Sequence, residues 1–293
     1  MTATIAQPEV RAFFDSATWT VSYVVWDPAT RDAVAIDTVL DYDSAASRIH
    51  TASVGKMAEF IRNEDLRLHW ILDTHAHADH LTGARALQEL CPEGRVAIGA
   101  RIREVQRVFA SVFKLGDGFT PDGRQFDRLL DDGERFAAGS LTIDVIATPG
   151  HTPACVSYLI GDAVFTGDAL FMPDYGVGRC DFPAGSAEDL YDSIVGRLYA
   201  LPESTRVFVG HDYQPGGREV LWQSTIGEEK RRNVQLPADL PREEFVERRR
   251  ARDKRLGAPR LLFPSVQFNI QGGRLPPPES NGTAYLKIPI RRG

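Results

Sequence analysis

The sequence predicts an α/β protein folded as an αββα sandwich, in which two mixed β-sheets pack face to face and helices cover the outside. Two observations predict this fold. The predicted strands come in two groups, and each group is followed by helices. Histidines and an aspartate lie just past several of the predicted strand ends, so they can meet at one edge of the sandwich.

The bulk composition is that of an ordinary soluble protein. With 293 residues, of which 43% are hydrophobic and 25% charged, the chain can bury one large core. There are 34 Lys and Arg residues against 40 Asp and Glu residues, which gives a net charge of −6. This charge argues against a nucleic-acid partner, because a phosphate backbone attracts basic surfaces.

No targeting signal is recognisable in the sequence. Residues 1–10 lack a basic start followed by an apolar core, and no run of about 18 apolar residues occurs. Cys91, Cys155 and Cys180 are odd in number and widely spaced, so no disulfide framework is visible. We therefore expect a cytoplasmic protein that does not bind a membrane.

The first group of strands leads to a cluster of histidines. Residues 20–26 and 33–37 are apolar or β-branched runs separated by a turn-forming Asp-Pro-Ala-Thr segment, which predicts a hairpin. Residues 43–64 have apolar side chains mostly at helical spacing and predict a helix. Residues 68–73 are typical of a buried strand that runs into the histidine-rich segment 74–80, and 81–91 is predicted to be helical.

The second group of strands follows a strand and a helix predicted at 95–98 and 101–113 and a loop predicted at 116–123. Its strands are expected at 141–147, 155–160, 163–166 and 206–209. Residues 186–200 begin with an N-cap serine and predict a helix before the last strand. His151, Asp168 and His211 each come shortly after one of these strands.

The chain after these elements differs in character. Residues 242–255 are highly charged, with Glu early and Arg late as the helix dipole favours, and 285–290 resembles a strand. We divide the chain into a catalytic domain at 1–224 and a C-terminal extension at 225–293. The extension is expected to pack on the main domain or at a homodimer interface, with a solvated face or a dimer rim on the charged helix.

The candidate site consists of histidines and acidic residues that follow strands. One loop carries His75, His77 and His80, while His151 and His211 follow later strands. Neutral imidazole is the commonest metal-binding side chain, and this concentration of five of the seven histidines indicates a metal site. The two other histidines, at positions 50 and 69, are interpreted as structural.

Two arrangements of metal are compatible with these residues. In the first, His75, His151 and Asp168 hold one ion and leave coordination positions open for catalysis. In the second, Asp168 bridges two ions that activate water, and Asp79 and the remaining histidines also bind. The spacing of the residues permits both arrangements.

At these positions the sequence resembles the metallo-β-lactamase superfamily. Its motifs are an early Asp after a strand, His-x-His-x-Asp-His, a later His, an Asp and a final His. The matching residues here are, in order, Asp37, the segment His75 to His80, His151, Asp168 and His211. The resemblance implies the fold of that superfamily, whereas the metal and the substrate need a finer signature.

Three further motifs resemble the persulfide dioxygenase branch of the superfamily. They are Gly178-Arg179-Cys180-Asp181-Phe182, Gly210-His211-Asp212-Tyr213 and Glu243-Glu244-Phe245-Val246. The resemblance implies one Fe(II) per chain, held by His75, His151 and Asp168. It also implies that glutathione persulfide and O₂ are the substrates and that sulfite and glutathione are the products. Two histidines and one carboxylate are ligands that such oxygen chemistry uses.

The same resemblance implies roles for neighbouring residues. Arg179 would bind a negatively charged group of the substrate, and Tyr213 could donate a hydrogen bond near the sulfur, so both are candidate catalytic and substrate-binding residues. The residues expected to orient the ligands without binding metal are His77, Asp79, His80, His211 and Asp37.

The sequence departs from the animal members of the branch at one position. Those members have a cysteine two positions before the motif arginine, where this chain has Val177, so a catalytic thiol at that point is excluded. Cys180 is interpreted as a small packing residue rather than as a reactive thiol. The tail, at 263–267, 273–276 and 285–289, resembles bacterial members.

Two other functions are kept as alternatives. One is a thioester hydrolase of the glyoxalase II kind, with two metals and a bridging hydroxide. The other is a noncatalytic sulfur-binding or sensor partner that keeps the fold without metal, and the complete set of ligands argues against it. Iron content, together with O₂ consumption in the presence of glutathione persulfide, would separate these functions.

Overall fold

The computed structural model describes residues 7–116 and 118–290, and the regular elements below are those of the described residues. The strands are β1 (Glu9–Asp15), β2 (Thr20–Trp26), β3 (Asp32–Ile36), β4 (Val39–Asp43), β5 (Arg48–His50), β6 (Arg67–Asp73), β7 (Leu81–Thr82), β8 (Arg95–Gly99), β9 (Arg128–Leu130), β10 (Arg135–Ala138), β11 (Leu141–Ala147), β12 (Val156–Ile160), β13 (Ala163–Phe165), β14 (Arg206–Phe208) and β15 (Gln223–Thr225). The helices are α1 (Ala52–Asn63), α2 (Ala84–Leu90), α3 (Ile102–Phe113), α4 (Ala187–Ser193), α5 (Ile226–Arg232), α6 (Arg242–Asp253) and α7 (Leu262–Asn269), and a π-helical turn at Ile194–Leu198 follows α4. Residue 117 of the predicted loop and the ends of the two predicted domains, at 1–6 and 291–293, lie outside the described residues.

Two six-stranded sheets pack face to face. Their strand orders are β1-β2-β3-β6-β8-β9 and β10-β11-β12-β13-β14-β15. Both sheets are mixed, because β3, β6, β8 and β9 run parallel in the first and β13 and β14 run parallel in the second. Tyr23 and Ile36 from the first sheet are buried against Tyr158 and Phe165 from the second. A short sheet of β5, β4 and β7 lies beside them.

Helices cover the outer face of each sheet. The cluster outside the first sheet contains Met57 of α1, Leu87 of α2 and Phe109 of α3, together with residues of α7. The cluster outside the second sheet contains Leu190 of α4 and Phe245 of α6, together with residues of α5. The predicted αββα sandwich is therefore confirmed, and helices from the C-terminal part of the chain contribute to both outer layers.

The helix predicted at 43–64 is wrong over its first part. A hairpin of β4 and β5 occupies that part, and α1 begins only at Ala52. The Asp43 carboxylate accepts the backbone N–H groups of Ala45 and Ala46 at 2.9 and 3.0 Å. This side-chain bonding stabilises a turn in place of a helix, although Ala46 and Ile49 fall at helical spacing.

Two other predicted elements differ from the structure. The helix predicted at 81–91 begins at Ala84, because Leu81 and Thr82 pair with β4 as a short strand. The strand predicted at 285–290 is not formed within the described residues. Instead, the Gln267 side chain of α7 donates to the Lys287 carbonyl and accepts the Lys287 N–H, both at 2.9 Å. The Gln267 side chain thus makes the backbone hydrogen bonds that a neighbouring strand would make in a sheet.

The charged helix α6 has a buried face that its sequence does not predict. Its Arg249 and Asp253 form an ion pair whose side chains are only 2% and 7% exposed. Two other arginines of α6 pair with acidic residues of α4. Arg242 bonds Asp192, and Arg250 contacts Glu188. The expectation of a solvated face or a dimer rim is therefore corrected for Arg249 and Asp253.

Candidate metal centre

Four of the predicted residues lie at one edge of the sandwich because each follows a strand that ends there. His75 follows β6, His151 follows β11, Asp168 follows β13 and His211 follows β14. All four residues are buried. A strand end fixes the position of a side chain more firmly than a free loop does, so this edge can hold a preformed site.

His75, His151 and Asp168 are close enough together to hold one metal ion. The Nε2 atom of His151 is 3.5 Å from Oδ2 of Asp168, and that of His75 is 4.0 Å from the same oxygen. Metal–nitrogen bonds are about 2 Å long, so two ligands of one ion lie up to about 4 Å apart. The structure therefore brings the predicted trio together at ligand spacing.

Hydrogen bonds fix which nitrogen of each imidazole faces Asp168. The Thr74 hydroxyl donates to Asp37 at 2.8 Å, so it accepts the Nδ1–H of His75 at 3.0 Å. The Nδ1–H of His151 donates to the carbonyl of Arg179 at 2.7 Å. In both rings the proton is on Nδ1, and Nε2 keeps a lone pair for a metal.

The residues expected to support the ligands form a second group beside the trio. His77, Asp79 and His80 each offer a ligand atom within 4.8 Å of the other two. The Nε2–H of His77 donates to Asp37 at 3.1 Å, and the Nδ1–H of His80 donates to the Leu81 carbonyl at 3.0 Å. Asp37 thus has the contacts of an orienting residue, whereas His77, Asp79 and His80 also have the arrangement of ligands.

His211 lies between the two groups. Its Nε2 atom is 3.2 Å from Oδ1 of Asp168 and 3.4 Å from Oδ2 of Asp79. Burial lowers the pKa of His211, but the two carboxylates outweigh it and raise the pKa to about 10. Without a metal the imidazole is therefore protonated and pairs with both carboxylates. A cation that bound between them would replace that proton.

The donor atoms of both groups fit a bound cation. Within the described parts of the chain, six buried atoms at this edge make no regular hydrogen bond, although the two carboxylate oxygens among them lie 3.2 and 3.4 Å from Nε2 of His211. They are Nε2 of His75, Nδ1 of His77, Oδ2 of Asp79, Nε2 of His80, Oδ1 of Asp168 and Nδ1 of His211. Buried polar atoms are rarely left without partners, and nitrogen and carboxylate donors that converge without partners are typical of metal ligands.

The charge states of His75 and Asp168 also suit a metal. Burial, followed by the neighbouring His77, lowers the pKa of His75 well below its usual value, so this imidazole is neutral. Burial raises the pKa of Asp168, but His211 and then His151 outweigh burial and hold the pKa well below its usual value. A neutral imidazole and an ionised carboxylate are the forms that bind metal.

Arg179 lies beside the trio in a small cavity. The cavity has a volume of about 170 Å³ and is lined by His151, Arg179, Phe182, Pro259 and Leu262, among others. The Arg179 guanidinium bonds both carboxylate oxygens of Asp181 at 2.6 Å and donates to the Gly257 carbonyl at 2.9 Å. These contacts hold a cation at the cavity next to His151.

Tyr213 lies beside His211. The two rings are stacked with centroids 5.5 Å apart, and Tyr175 also packs against Tyr213 with their centroids 4.7 Å apart. Burial, followed by the negative charge of Asp168, raises the pKa of Tyr213 well above its usual value, so the hydroxyl keeps its proton. Tyr213 is thus a hydrogen-bond donor near the second group.

Two residues close to Arg179 in the sequence, Val177 and Cys180, are packed in the interior. Val177, which stands where animal relatives have cysteine, and Cys180 are both buried. Burial is the largest cause that raises the pKa of the Cys180 thiol far above its usual value. Cys180 is therefore an uncharged packing residue, as predicted from the sequence.

A residue of α7 that was not predicted from the sequence contacts the loop that carries His77 and His80. Asn269 donates from Nδ2 to the carbonyls of His77 and His80, each at 2.8 Å, and its Oδ1 accepts the N–H of Thr82 at 2.8 Å. The sequence feature that could have predicted this contact is the segment 261–270, which is mostly apolar, as in a buried element, but also carries amide and hydroxyl side chains. Such residues need partners in a core, and here the partner is the loop of the site.

Comparison with known proteins identifies the family. A sequence model of the metallo-beta-lactamase superfamily matches residues 20–211. A probable metallo-hydrolase of Burkholderia pseudomallei is 46% identical to this chain, over 96% of the chain and 98% of the relative. In the residues that the structure describes, no helix has the length and apolarity needed to cross a membrane.

Two relatives carry a more specific name. The mitochondrial persulfide dioxygenase ETHE1 of Bos taurus is 32% identical, over 92% of this chain and 90% of the relative. The crystal structure of ETHE1 from Myxococcus xanthus superposes with a TM-score of 0.72 at 35% identity, over 91% of this chain and all of that chain. Together with the motif residues gathered at the sheet edge, these matches show that the chain belongs to the metallo-beta-lactamase superfamily and has persulfide dioxygenases among its homologues.

Proposed function

We propose that this protein is a persulfide dioxygenase that oxidises glutathione persulfide with one Fe(II) held by His75, His151 and Asp168. The observation that carries the proposal is the juxtaposition of this trio with a cavity that Arg179 lines. Two histidines and one carboxylate leave positions open on iron for O₂ and a substrate sulfur. The similarity to proteins named persulfide dioxygenase supports the same activity.

The proposed reaction converts glutathione persulfide, O₂ and water into sulfite, glutathione and two protons. The sulfur–sulfur bond breaks, the outer sulfur is oxidised and O₂ is reduced. A bound iron would supply the site at which O₂ and the persulfide sulfur meet. The chain's own residues bind and orient the substrate, and the cavity next to His151 is lined by the apolar Phe182, Pro259 and Leu262, which limit the access of water.

Arg179 is the proposed anchor for the glutathione part of the substrate. Glutathione carries carboxylates, and a guanidinium binds a carboxylate through short charge-assisted hydrogen bonds. The pairing with Asp181 fixes the Arg179 guanidinium beside the cavity that Arg179 lines. Tyr213 keeps its proton and is proposed to donate a hydrogen bond near His211.

The direct test measures metal content and oxygen uptake. Purified protein from iron-supplied cells is expected to contain about one iron per chain and to consume O₂ when glutathione persulfide is added, with sulfite as the product. Glutathione disulfide, which has no terminal sulfane sulfur, is the matched control and should cause no uptake. Iron-loaded protein that consumes no O₂ with the persulfide would contradict the proposal.

A second candidate function is a thioester hydrolase with two metals. The observation in its favour is the second group, in which His77, Asp79 and His80 have the spacing of ligands and His211 lies 3.2 Å from Asp168. A relative is also named a probable metallo-hydrolase. Two metals per chain with hydrolysis of S-lactoylglutathione, and no O₂ uptake, would favour this candidate.

Replacing Arg179 by alanine should mainly weaken substrate binding. A hydrogen bond to a charged group contributes about 1.5–3 kcal/mol, so we expect KM for glutathione persulfide to rise about 10- to 100-fold. Iron content should not change, because the contact with His151 uses the backbone carbonyl, which alanine keeps. Arg124→Ala, which removes an exposed arginine paired with Asp122, is the control. An unchanged KM would remove Arg179 from the substrate site.

A further inference from the structure

One loop behind the metal centre contacts two of the three proposed iron ligands. We call residues 177–180 the arginine loop. The Arg179 carbonyl accepts the Nδ1–H of His151 at 2.7 Å. Gly178 lies directly on the backbone of Asp168, since a Cβ at this position would be 1.9 Å from the Asp168 carbonyl oxygen. The position of the arginine loop therefore determines where His151 and Asp168 are held.

A buried ion pair of α6 holds both ends of the arginine loop. Asp253 accepts the N–H of Cys180 on Oδ2 at 3.0 Å and the guanidinium of Arg249 on Oδ1 at 2.5 Å. Arg249 donates in turn to the Val177 carbonyl at 3.3 Å and to Gln235 at 2.8 Å. The Asp253 carboxylate is thus the point at which α6 is joined to the loop.

Folding stability alone does not account for this ion pair. Two buried charges lose their hydration, and a buried ion pair is often no more stabilising than apolar side chains of similar volume. The geometry gives the pair another role. The hydrogen bonds that its side chains make with backbone groups, to the Val177 carbonyl and from the Cys180 N–H, are both with the arginine loop. The pair orients the loop rather than only packing against it.

Asn269 makes the corresponding contact with the histidine loop, which we define as residues 77–82. Both protons of its amide are used, one on the carbonyl of His77 and one on that of His80. The amide oxygen accepts the N–H of Thr82. One side chain therefore fixes three backbone groups of the histidine loop, those of His77, His80 and Thr82.

We propose that Asp253 and Asn269 are positioning residues of the metal centre. Asp253 holds the arginine loop so that His151 presents Nε2, and Asn269 holds the histidine loop, whose His77 ring packs against the ligand His75 with the ring centroids 4.2 Å apart. Neither side chain contacts the donor atoms themselves. Both residues lie beyond the region 20–211 that matches the superfamily model. This inference rests on the metal centre proposed above and does not depend on the substrate.

Variants of nearly identical shape test the proposal with cobalt(II) as the metal. Asp253→Asn removes the charge that pairs with Arg249, and Asn269→Asp removes both donors to the histidine loop. Loss of a residue that orients metal ligands typically weakens metal binding about 10- to 100-fold. We expect this rise in the cobalt dissociation constant, measured against a chelator, and a changed visible absorption spectrum of the cobalt-loaded protein.

Two control variants change the same helices without touching the loops. Gln267→Glu makes the same amide-to-carboxylate change on α7 but affects only the contact with Lys287. Arg242→Gln removes a contact of α6 with Asp192. Both controls should keep the cobalt affinity and spectrum of the unmodified protein. If Asn269→Asp does not fold, Asn269→Ser replaces it, since the smaller side chain leaves space for water.

The outcomes separate positioning from general stability and from the proposed function. Weaker cobalt binding with an altered spectrum in Asp253→Asn and Asn269→Asp, but not in the controls, supports the proposal. Unchanged affinity, or weaker affinity with an unchanged spectrum at saturating cobalt, overturns it. If the unmodified protein does not bind cobalt at all, the metal centre and this inference fail together.

Discussion

Asp168→Ala should lose the proposed iron and the proposed dioxygenase activity together. The carboxylate of Asp168 lies 3.5 Å from His151 and 4.0 Å from His75, and it also lies 3.2 Å from His211. Its removal leaves two imidazoles and no anion, and it leaves His211 without its nearer carboxylate partner. The loss of iron affinity should exceed the roughly 100-fold upper range for residues that only orient ligands.

The control for this variant is another carboxylate of the same loop. Asp174→Ala removes an exposed side chain that bonds Arg218, and it should keep both iron and activity. Iron is measured by metal analysis of purified protein, and activity by O₂ uptake with glutathione persulfide. Normal iron loading of Asp168→Ala would refute the assignment of Asp168 as a ligand.

Glu229→Gln should remove a pH dependence of folding stability. Glu229 is fully buried, and burial raises its pKa to about 8 although hydrogen bonds from Ser224 and Asn233 lower it. The unfolded chain has a pKa near 4.5 at this residue. Because the folded state holds the proton more tightly, the unfolding free energy falls as the pH rises from about 4.5 to about 8. A shift of this size corresponds to at most about 5 kcal/mol.

The measurement compares urea unfolding of metal-free protein from pH 5 to pH 9. A glutamine side chain has the shape and hydrogen bonds of protonated Glu229, so the variant should equal the original at low pH and be more stable above pH 8. Glu228→Gln, on the exposed face of the same helix, should keep the original pH profile. Parallel profiles for the original and Glu229→Gln would show that Glu229 is ionised throughout this range.

The edge that carries the metal centre could be predicted because its signals are local. His75, His151 and His211 each follow a short apolar or β-branched run, and such runs form strands when both faces are buried. The order of the motifs along the chain is that of a fold in which the ends of these strands lie at one edge. The turn after Asp43 could not be predicted in the same way, because Ala46 and Ile49 share their spacing with a helix.

The residues that support the site were missed because their partners are remote in sequence. Asn269 bonds His77, which is 192 positions away, and Asp253 bonds Cys180, which is 73 positions away. In α6 the sequence shows Glu early and Arg late, and a buried Arg249–Asp253 pair has the same spacing as an exposed pair one turn apart. Only the packing of α6 against the arginine loop distinguishes the two.

The tautomers of the imidazoles have a consequence for the choice of metal. Thr74 and the Arg179 carbonyl orient the rings of His75 and His151 before any ion arrives, so a metal meets ligands that need little rearrangement. Nitrogen and oxygen ligands generally bind Zn²⁺ and Cu²⁺ more tightly than Fe²⁺. A ready-made site of this kind gives iron no advantage in affinity. Iron occupancy should therefore follow the supply of free metals during synthesis, and protein made in zinc-rich medium should carry zinc.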